Sequence, residues 1–292
     1  MNMKRMSKIG LGTWMLGGAV SPNENNDDER DIDSIKFAVS LGINHIDTSE
    51  SYAGGKSEIL VGRAIRNLDR SNIIVATKVR EWNLEYEKLI ESCNRSLERM
   101  MLQYIDLYYI HKQNPKISVK DTCDALNYLL SIGLIKRVGL SNVGINTIQE
   151  YNKYLEMPVF AVQNQYSLIC RESQHKHVLE YCSKNDIKFV SWRPIHLSYP
   201  GSGKLDEITG RYSMLDEMAH KYNVSKAQIA AKWLLQQDNV HIVFKSNNPA
   251  HIQEIADTKN FELSVEDWKL INRDFPVQFS KGCSTNEFYE LS

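Results

Sequence analysis

The chain has 292 residues, of which 42% are hydrophobic and 24% charged, and 35 Lys and Arg against 36 Asp and Glu give a formal net charge of −1. This composition excludes a disordered, collagen-like or low-complexity chain, and it leaves no overall basic field for a nucleic acid. No apolar run reaches the ~20 residues that cross a bilayer, and no apolar stretch follows Lys4, Arg5 and Lys8, so neither a membrane span nor a signal peptide is expected.

Short β-rich runs alternate with helical patterns from one end to the other. The first strand is read at residues 9–13. Asp27, Asp28 and Glu29 then mark the positive end of a helix. Further strands are read at 45–47, 73–77 and 106–110, and Ser118 with Asp121 has the spacing of a capping box. A strand at 137–140 precedes a second such pair, Thr147 with Glu150. Strands at 161–165 and 188–192 are followed by a helix near 214–222, a third pair in Ser225 with Gln228, and apolar residues at helical spacing over 227–235. The eighth strand is 240–244, a last helix lies near 265–272, and a tail runs from Phe275.

No linker divides the pattern, so residues 1–292 are expected to form one domain. Eight strand–helix units predict an α/β fold, a (β/α)8 TIM barrel with extra helices and a short tail. The alternative is an open doubly wound sheet, which the missing G-x-G-x-x-G turn after a strand disfavours. The five cysteines, Cys93, Cys123, Cys170, Cys182 and Cys283, are odd in number and lack C-x-x-C spacing. That argues against a disulfide framework or a cysteine-only zinc site, and for a reducing compartment such as the cytoplasm. His175 and His177 do not by themselves make a metal-ligand set, so no metal is expected.

In a barrel of this kind the active site lies at the carboxyl ends of the strands. Asp47 ends the second strand, with Tyr52 in the following loop, Lys78 ends the third and His111 the fourth. Singly, these residues have ordinary readings as turn, packing or solvated groups. Together they make a coherent set. An ammonium favours phenolate and so tunes a tyrosine towards acid–base work, an aspartate holds the ammonium, and a histidine directs a carbonyl oxygen.

These residues lie in segments that resemble the aldo-keto reductase family. The segments are Ile9-Gly10-Leu11-Gly12-Thr13-Trp14, Leu41 to Tyr52 followed by Gly54, Ser57, Glu58 and Gly62, Ala76-Thr77-Lys78-Val79, Asp106 to His111, Gly139-Leu140-Ser141-Asn142 and Gln163-Asn164-Gln165-Tyr166. The resemblance implies a barrel that binds an extended nicotinamide cofactor, NADP (NADPH), with Asp47, Tyr52, Lys78 and His111 as catalytic tetrad and Tyr52 as general acid. It also implies that Ser141, Asn142 and Gln163 hold the carboxamide and that Trp192 stacks on the nicotinamide where the family has Tyr. Thr13 and Thr48 would lie at the ribose end, and Lys245 with Ser246 at the 2′-phosphate. Glu254 keeps the family residue, whereas Phe244, His251 and Ile255 stand where Pro, Arg and Asn are common. A neutral His251 attracts phosphate less than Arg, which leaves NADH use open. Arg193 stands where Ser is frequent, either as a cofactor-phosphate or substrate-carboxylate contact or as a rim ion pair.

Trp14, Met15, Trp82 and Asn114 are placed at the mouth as substrate-pocket residues. Ser202 and Lys204 are read either as a pyrophosphate cover or as a surface loop, and Phe279, Cys283, Phe288 and Tyr289 as possible walls from the tail. The expected function is reduction of a small-molecule aldehyde or ketone by a monomer. The alternatives are a cofactor-binding regulatory subunit and a lyase using Lys78 as Schiff-base nucleophile, which the counter-charge of Asp47 disfavours.

Overall fold

The computed structural model of the chain describes residues 5–195 and 206–275, with the side chains of 206–212 excepted. Ser202 and Lys204, and the tail residues Phe279, Cys283, Phe288 and Tyr289, lie outside the described residues. Eight parallel strands close in sequence order: β1 Ile9–Gly12, β2 His45–Asp47, β3 Ile74–Val79, β4 Leu107–Ile110, β5 Val138–Ser141, β6 Ala161–Gln165, β7 Lys188–Trp192 and β8 Val240–Lys245. The ring is completed where Gly12 of β1 pairs with Lys245 of β8. Around it run α1 Asp28–Ser40, α2 Lys56–Ile65, α3 Tyr86–Met100, α4 Val119–Ser131, α5 Ile145–Tyr154, α6 Glu172–His175, α7 Val178–Lys184, α8 Asp206–Tyr222, α9 Lys226–Leu235, α10 Pro249–Ala256 and α11 Val265–Asp274. Among the described residues no helix is long and apolar enough to cross a membrane.

Strand parity sorts the side chains. Leu11, Ile46, Val75, Tyr108, Leu140, Val162, Phe189 and Ile242 join the large core between sheet and helices. Their alternate neighbours point inwards, where Met6, Ile74, Ala76, Leu107, Tyr109, Ala161, Val190 and Val243 fill the barrel. Each such buried aliphatic chain contributes roughly 1.5–3 kcal/mol of hydrophobic stabilisation. The interior is narrow enough that large inward residues need glycine opposite them. A Cβ on Gly139 would stand 2.3 Å from the Tyr109 ring, and one on Gly10 2.6 Å from His45 Nδ1.

Most helix starts follow their side chains. The Asp27 carboxylate accepts from Arg30 N–H at the head of α1, the Ser118 hydroxyl from Asp121 N–H at α4, and Ser225 with Gln228 forms a reciprocal capping box at α9. Thr147 is no cap. Helix α5 starts at Ile145, and Thr147 lies buried in it, because Asn164 Oδ1 takes the Val143 N–H and sets the chain into the helix earlier. Strand β3 also runs past the expected Thr77 to Val79, since the charge of Lys78 is neutralised inside the barrel and does not end the strand. Cys93, Cys123 and Cys182 are buried free thiols, but Cys170 is disulfide-bonded, which the wide cysteine spacing hid.

Two buried histidines make the barrel acid-sensitive. Burial pushes His45 and His241 each down to about 4. An unfolded histidine keeps its usual value, so between these limits the unfolded chain binds more protons. The stabilisation is complete above about pH 6.5 and is lost as pH falls towards about 4, at up to ~1.4 kcal/mol per unit for each histidine. Urea unfolding at about pH 7 and about pH 5 is expected to show this loss. Equal midpoints would contradict it.

Candidate active site

The mouth of the barrel is built by the inward residues of the upper strand ends. Asp47 lies opposite Ala76, and Lys78 lies two residues further along the same face of β3. Strand tilt brings the Lys78 side chain back over Asp47. Its Nζ donates to Asp47 Oδ1 at 2.6 Å, to the Thr48 carbonyl at 2.8 Å and to the Tyr52 hydroxyl at 3.3 Å. Lys78 is fully buried and Asp47 nearly so. The other oxygen of Asp47 accepts from Gln163 Nε2 at 2.7 Å, a partner 116 positions away. Behind β3, Thr77 donates to Glu58, which also accepts from Arg99, so the strand carrying Lys78 is tied to α2 and α3.

Tyr52 opens a short 3₁₀ turn, Tyr52–Gly55, in which Ala53 and Gly54 take left-handed dihedrals (φ 49 and 59) and turn the chain back across the mouth. The Tyr52 ring meets Trp14 edge-on at 5.0 Å and His111 at 5.9 Å. Burial pushes the phenol above its usual range, while the Lys78 ammonium pulls against it. The Lys78 ammonium is lowered by burial, but Asp47 and Tyr52 more than offset this and hold it above its ordinary value. It therefore remains charged at neutral pH. His111 is pushed down to about 3 by burial and by the cations Lys78 and Arg80, so it is neutral. A phenol beside a fixed ammonium can give its proton to a neighbouring oxygen and leave a stabilised phenolate.

Beside this cluster, Ser141 Oγ donates to the Gln163 carbonyl at 2.8 Å. Asn142 has a left-handed backbone (φ 59), donates to the His111 carbonyl and accepts from the Trp192 indole at 3.1 Å. The Asn142 amide is thus spent inside the site and positions Trp192. Gln163 Oε1 takes no hydrogen bond among the described residues, and neither Arg193 nor Lys245 has an ion-pair partner among them. Among the described residues Arg193 forms no rim ion pair; its guanidinium stands over the Trp192 ring at 5.5 Å, on a left-handed backbone (φ 52). An amide acceptor, an indole face and two cations without an ion-pair partner among the described residues are groups that fit a nicotinamide, its phosphates and a 2′-phosphate.

Other expected contacts differ. Thr13 and Thr48 are fully buried, and the Ser57 hydroxyl lies between theirs at 2.8 and 3.3 Å, while Thr13 donates to the Asp47 carbonyl. They link the ends of β1 and β2 through Ser57 of α2. Asn114 donates to the Glu81 carbonyl and accepts from the Lys116 N–H, so it is held in the rim with one amide hydrogen left over. Trp14, Met15 and Trp82 stand exposed at the mouth. Ser246 accepts from Asn248 N–H at the head of α10, where His251 is exposed, Glu254 is half-buried and Ile255 is turned into the core. The sequence reading missed Ser49 and Ser51, whose hydroxyls lie 3.2 and 3.3 Å from His111 Nδ1. Two hydroxyls straight after a strand-ending aspartate were the available signal, but they read as ordinary turn residues.

A family model described as "Aldo/keto reductase family" matches residues 8–273. The chain is 33% identical to the glyoxal reductase of Bacillus subtilis over 93% of this chain and 90% of that protein. It is 29% identical to the NADH-specific methylglyoxal reductase of Escherichia coli, covering 91% of this chain and 94% of that one. A solved aldo/keto reductase from Klebsiella pneumoniae, in complex with NADP and acetate, superposes with a TM-score of 0.82 at 25% identity, over 93% of this chain and 92% of that chain.

Proposed function

Because the chain belongs to the aldo/keto reductase family, and so to the nicotinamide-dependent carbonyl oxidoreductases, we propose that it reduces a small aldehyde to the alcohol with NADPH and with Tyr52 as general acid. The observation that carries this reading is the Tyr52 hydroxyl set 3.3 Å from a buried Lys78 ammonium, itself held by Asp47 at 2.6 Å. The cofactor, when bound, supplies the hydride that reaches the carbonyl carbon. The protein's part is at the oxygen. Tyr52 donates its proton there as negative charge develops, and the Lys78 ammonium stabilises the phenolate left behind. His111, being neutral, orients the same oxygen by a hydrogen bond and does not compete as an acid. Asp47, salt-bridged and bonded to Gln163, keeps Lys78 from swinging away.

Gln163, Trp192, Arg193 and Lys245 are the residues that would hold the cofactor. The glyoxal and methylglyoxal reductases among the relatives support a 2-oxoaldehyde as the substrate class. Its second carbonyl makes the reacting carbon electron-poor, and the exposed Trp14 and Trp82 offer apolar walls. The test is nicotinamide oxidation followed by absorbance, with glyoxal, methylglyoxal and an aromatic aldehyde. Tight NADPH binding with no turnover across such a panel would replace this reading with a cofactor-binding protein that serves a partner.

Cofactor choice yields a separate prediction. Lys245 is free for a 2′-phosphate, but His251 lacks a fixed positive charge. NADPH is expected to bind more tightly than NADH by a modest factor, and His251→Arg to tighten NADPH alone by roughly tenfold, about one charge-assisted hydrogen bond. Fluorescence titration of both nucleotides reads this directly. A substitution that tightened both equally would show that residue 251 does not face the 2′-phosphate.

A further inference from the structure

Ser49 and Ser51 have no part in the reading above, yet both hydroxyls converge on one nitrogen of His111. Ser49 Oγ lies 3.2 Å and Ser51 Oγ 3.3 Å from His111 Nδ1, and the two hydroxyl oxygens are 2.8 Å apart. Ser49 is fully buried. Its oxygen also accepts the Ser51 N–H at 3.2 Å, which fixes the pair in place. We propose that Ser49 and Ser51 are positioning residues that hold His111 as the tautomer protonated on Nε2, so that the imidazole presents an N–H donor to the substrate oxygen.

The argument is an account of protons. If Nδ1 is bare, either serine can donate to it, and the other hydroxyl donates across the 2.8 Å contact. Every hydroxyl proton then has an acceptor at good distance. If Nδ1 carries the proton, the chain of donors must run the other way. It then ends either on the Lys78 carbonyl, 3.4 Å from Ser49 Oγ, an oxygen that already accepts the Glu50 N–H, or on solvent at the half-buried Ser51. Only the first arrangement keeps every hydroxyl proton on an acceptor within the site at 3.3 Å or less, and it is the one we assign. The consequence for chemistry is direct. A bare Nε2 would face a carbonyl oxygen lone pair to lone pair, whereas an Nε2–H donates to it. The inference deepens the proposed carbonyl reduction and rests on that reading for its function, but not for its structure.

The test therefore starts with nitrogen NMR of the histidine-labelled protein, with no substrate or cofactor. The His111 signals are assigned by their disappearance in His111→Gln. Wild type is expected to show a pyridine-type Nδ1 and a pyrrole-type Nε2. Ser49→Ala and Ser51→Ala alone keep this pattern, because the remaining hydroxyl still reaches Nδ1, while the double variant shows mixed tautomers. Turnover follows the same non-additive course, with kcat falling roughly three- to tenfold in the double variant, one neutral hydrogen bond's worth, and NADPH affinity unchanged. Should the double variant fail to fold, Ser49→Cys with Ser51→Ala fills the buried volume with a poor donor and is expected to lose the tautomer too. A proton found on Nδ1 in wild type, or a tautomer that survives loss of both hydroxyls, would overturn the proposal. A normal spectrum without any carbonyl turnover would instead count against the proposed function.

Discussion

Tyr52→Phe is expected to lower kcat for carbonyl reduction by roughly 10²- to 10⁴-fold, the usual worth of a positioned general acid. Only one oxygen is removed. The ring keeps its edge contacts with Trp14 at 5.0 Å and His111 at 5.9 Å, so the mouth retains its shape. Lys78 keeps its bonds to Asp47 and to the Thr48 carbonyl, so no buried charge is stranded. NADPH affinity and thermal stability should therefore stay close to wild type, and the loss should fall on kcat alone. The direction of the phenol's shift adds a pH signature. Burial holds Tyr52 protonated, with Lys78 opposing, so reduction should persist through neutral pH and decline only in the alkaline range, as the donor is lost. Single-turnover kinetics of wild type and variant against pH would read both effects. A variant that kept turnover within about tenfold of wild type would remove Tyr52 from the general-acid role.

Asp47→Ala is expected to cost about 3–5 kcal/mol of stability, because it leaves the Lys78 ammonium buried without its counter-charge. For a chain of this size, that lowers the melting temperature by on the order of 10 °C. The variant also orphans Gln163 Nε2, which donates to the same carboxylate. Removing the charge as well, in Asp47→Ala with Lys78→Met, should recover part of the stability, since no buried charge is then left unpaired, while Gln163 Nε2 still lacks its acceptor. Turnover should remain abolished in both. The contrast separates the two duties of the pair: its charges are kept for chemistry, and the fold needs only that they cancel. Urea midpoints of wild type, single and double variant decide the matter. A double variant as unstable as the single one would mean that the fold depends on this ion pair itself, and not merely on charge balance.

Neither prediction could be made from the strand pattern alone. Alternation of β-rich and helical segments is a local property, and it led to the eight strands of the barrel because propensity, capping and parity all act over a few residues. Asp27, Ser118 and Ser225 cap helices through N–H groups three residues away. Asp47, Lys78 and His111 stood out because each closes, or nearly closes, an apolar strand. The misreadings share a cause. Thr147 failed as a cap because Asn164, from the next strand, captured the preceding loop. Strand β3 ran on through Lys78 because Asp47, from β2, neutralised it. Thr13 and Thr48 follow β1 and β2, and their hydroxyls meet Ser57 and, for Thr13, the Asp47 carbonyl.

The sequence by itself thus determined the repeating strand–helix order and the set of polar groups that stand at the strand ends. Only the tertiary structure decided which of those groups meet. Closing β8 on β1 with tilted strands brings Gln163 onto Asp47 across 116 residues, turns Tyr52 back onto Lys78, and aims two serines at one nitrogen of His111. Side-chain direction follows from a two-residue period that any strand carries in its own sequence. Convergence at the mouth follows from the stagger between strands, which is fixed only when the whole ring is closed and its narrow interior is filled.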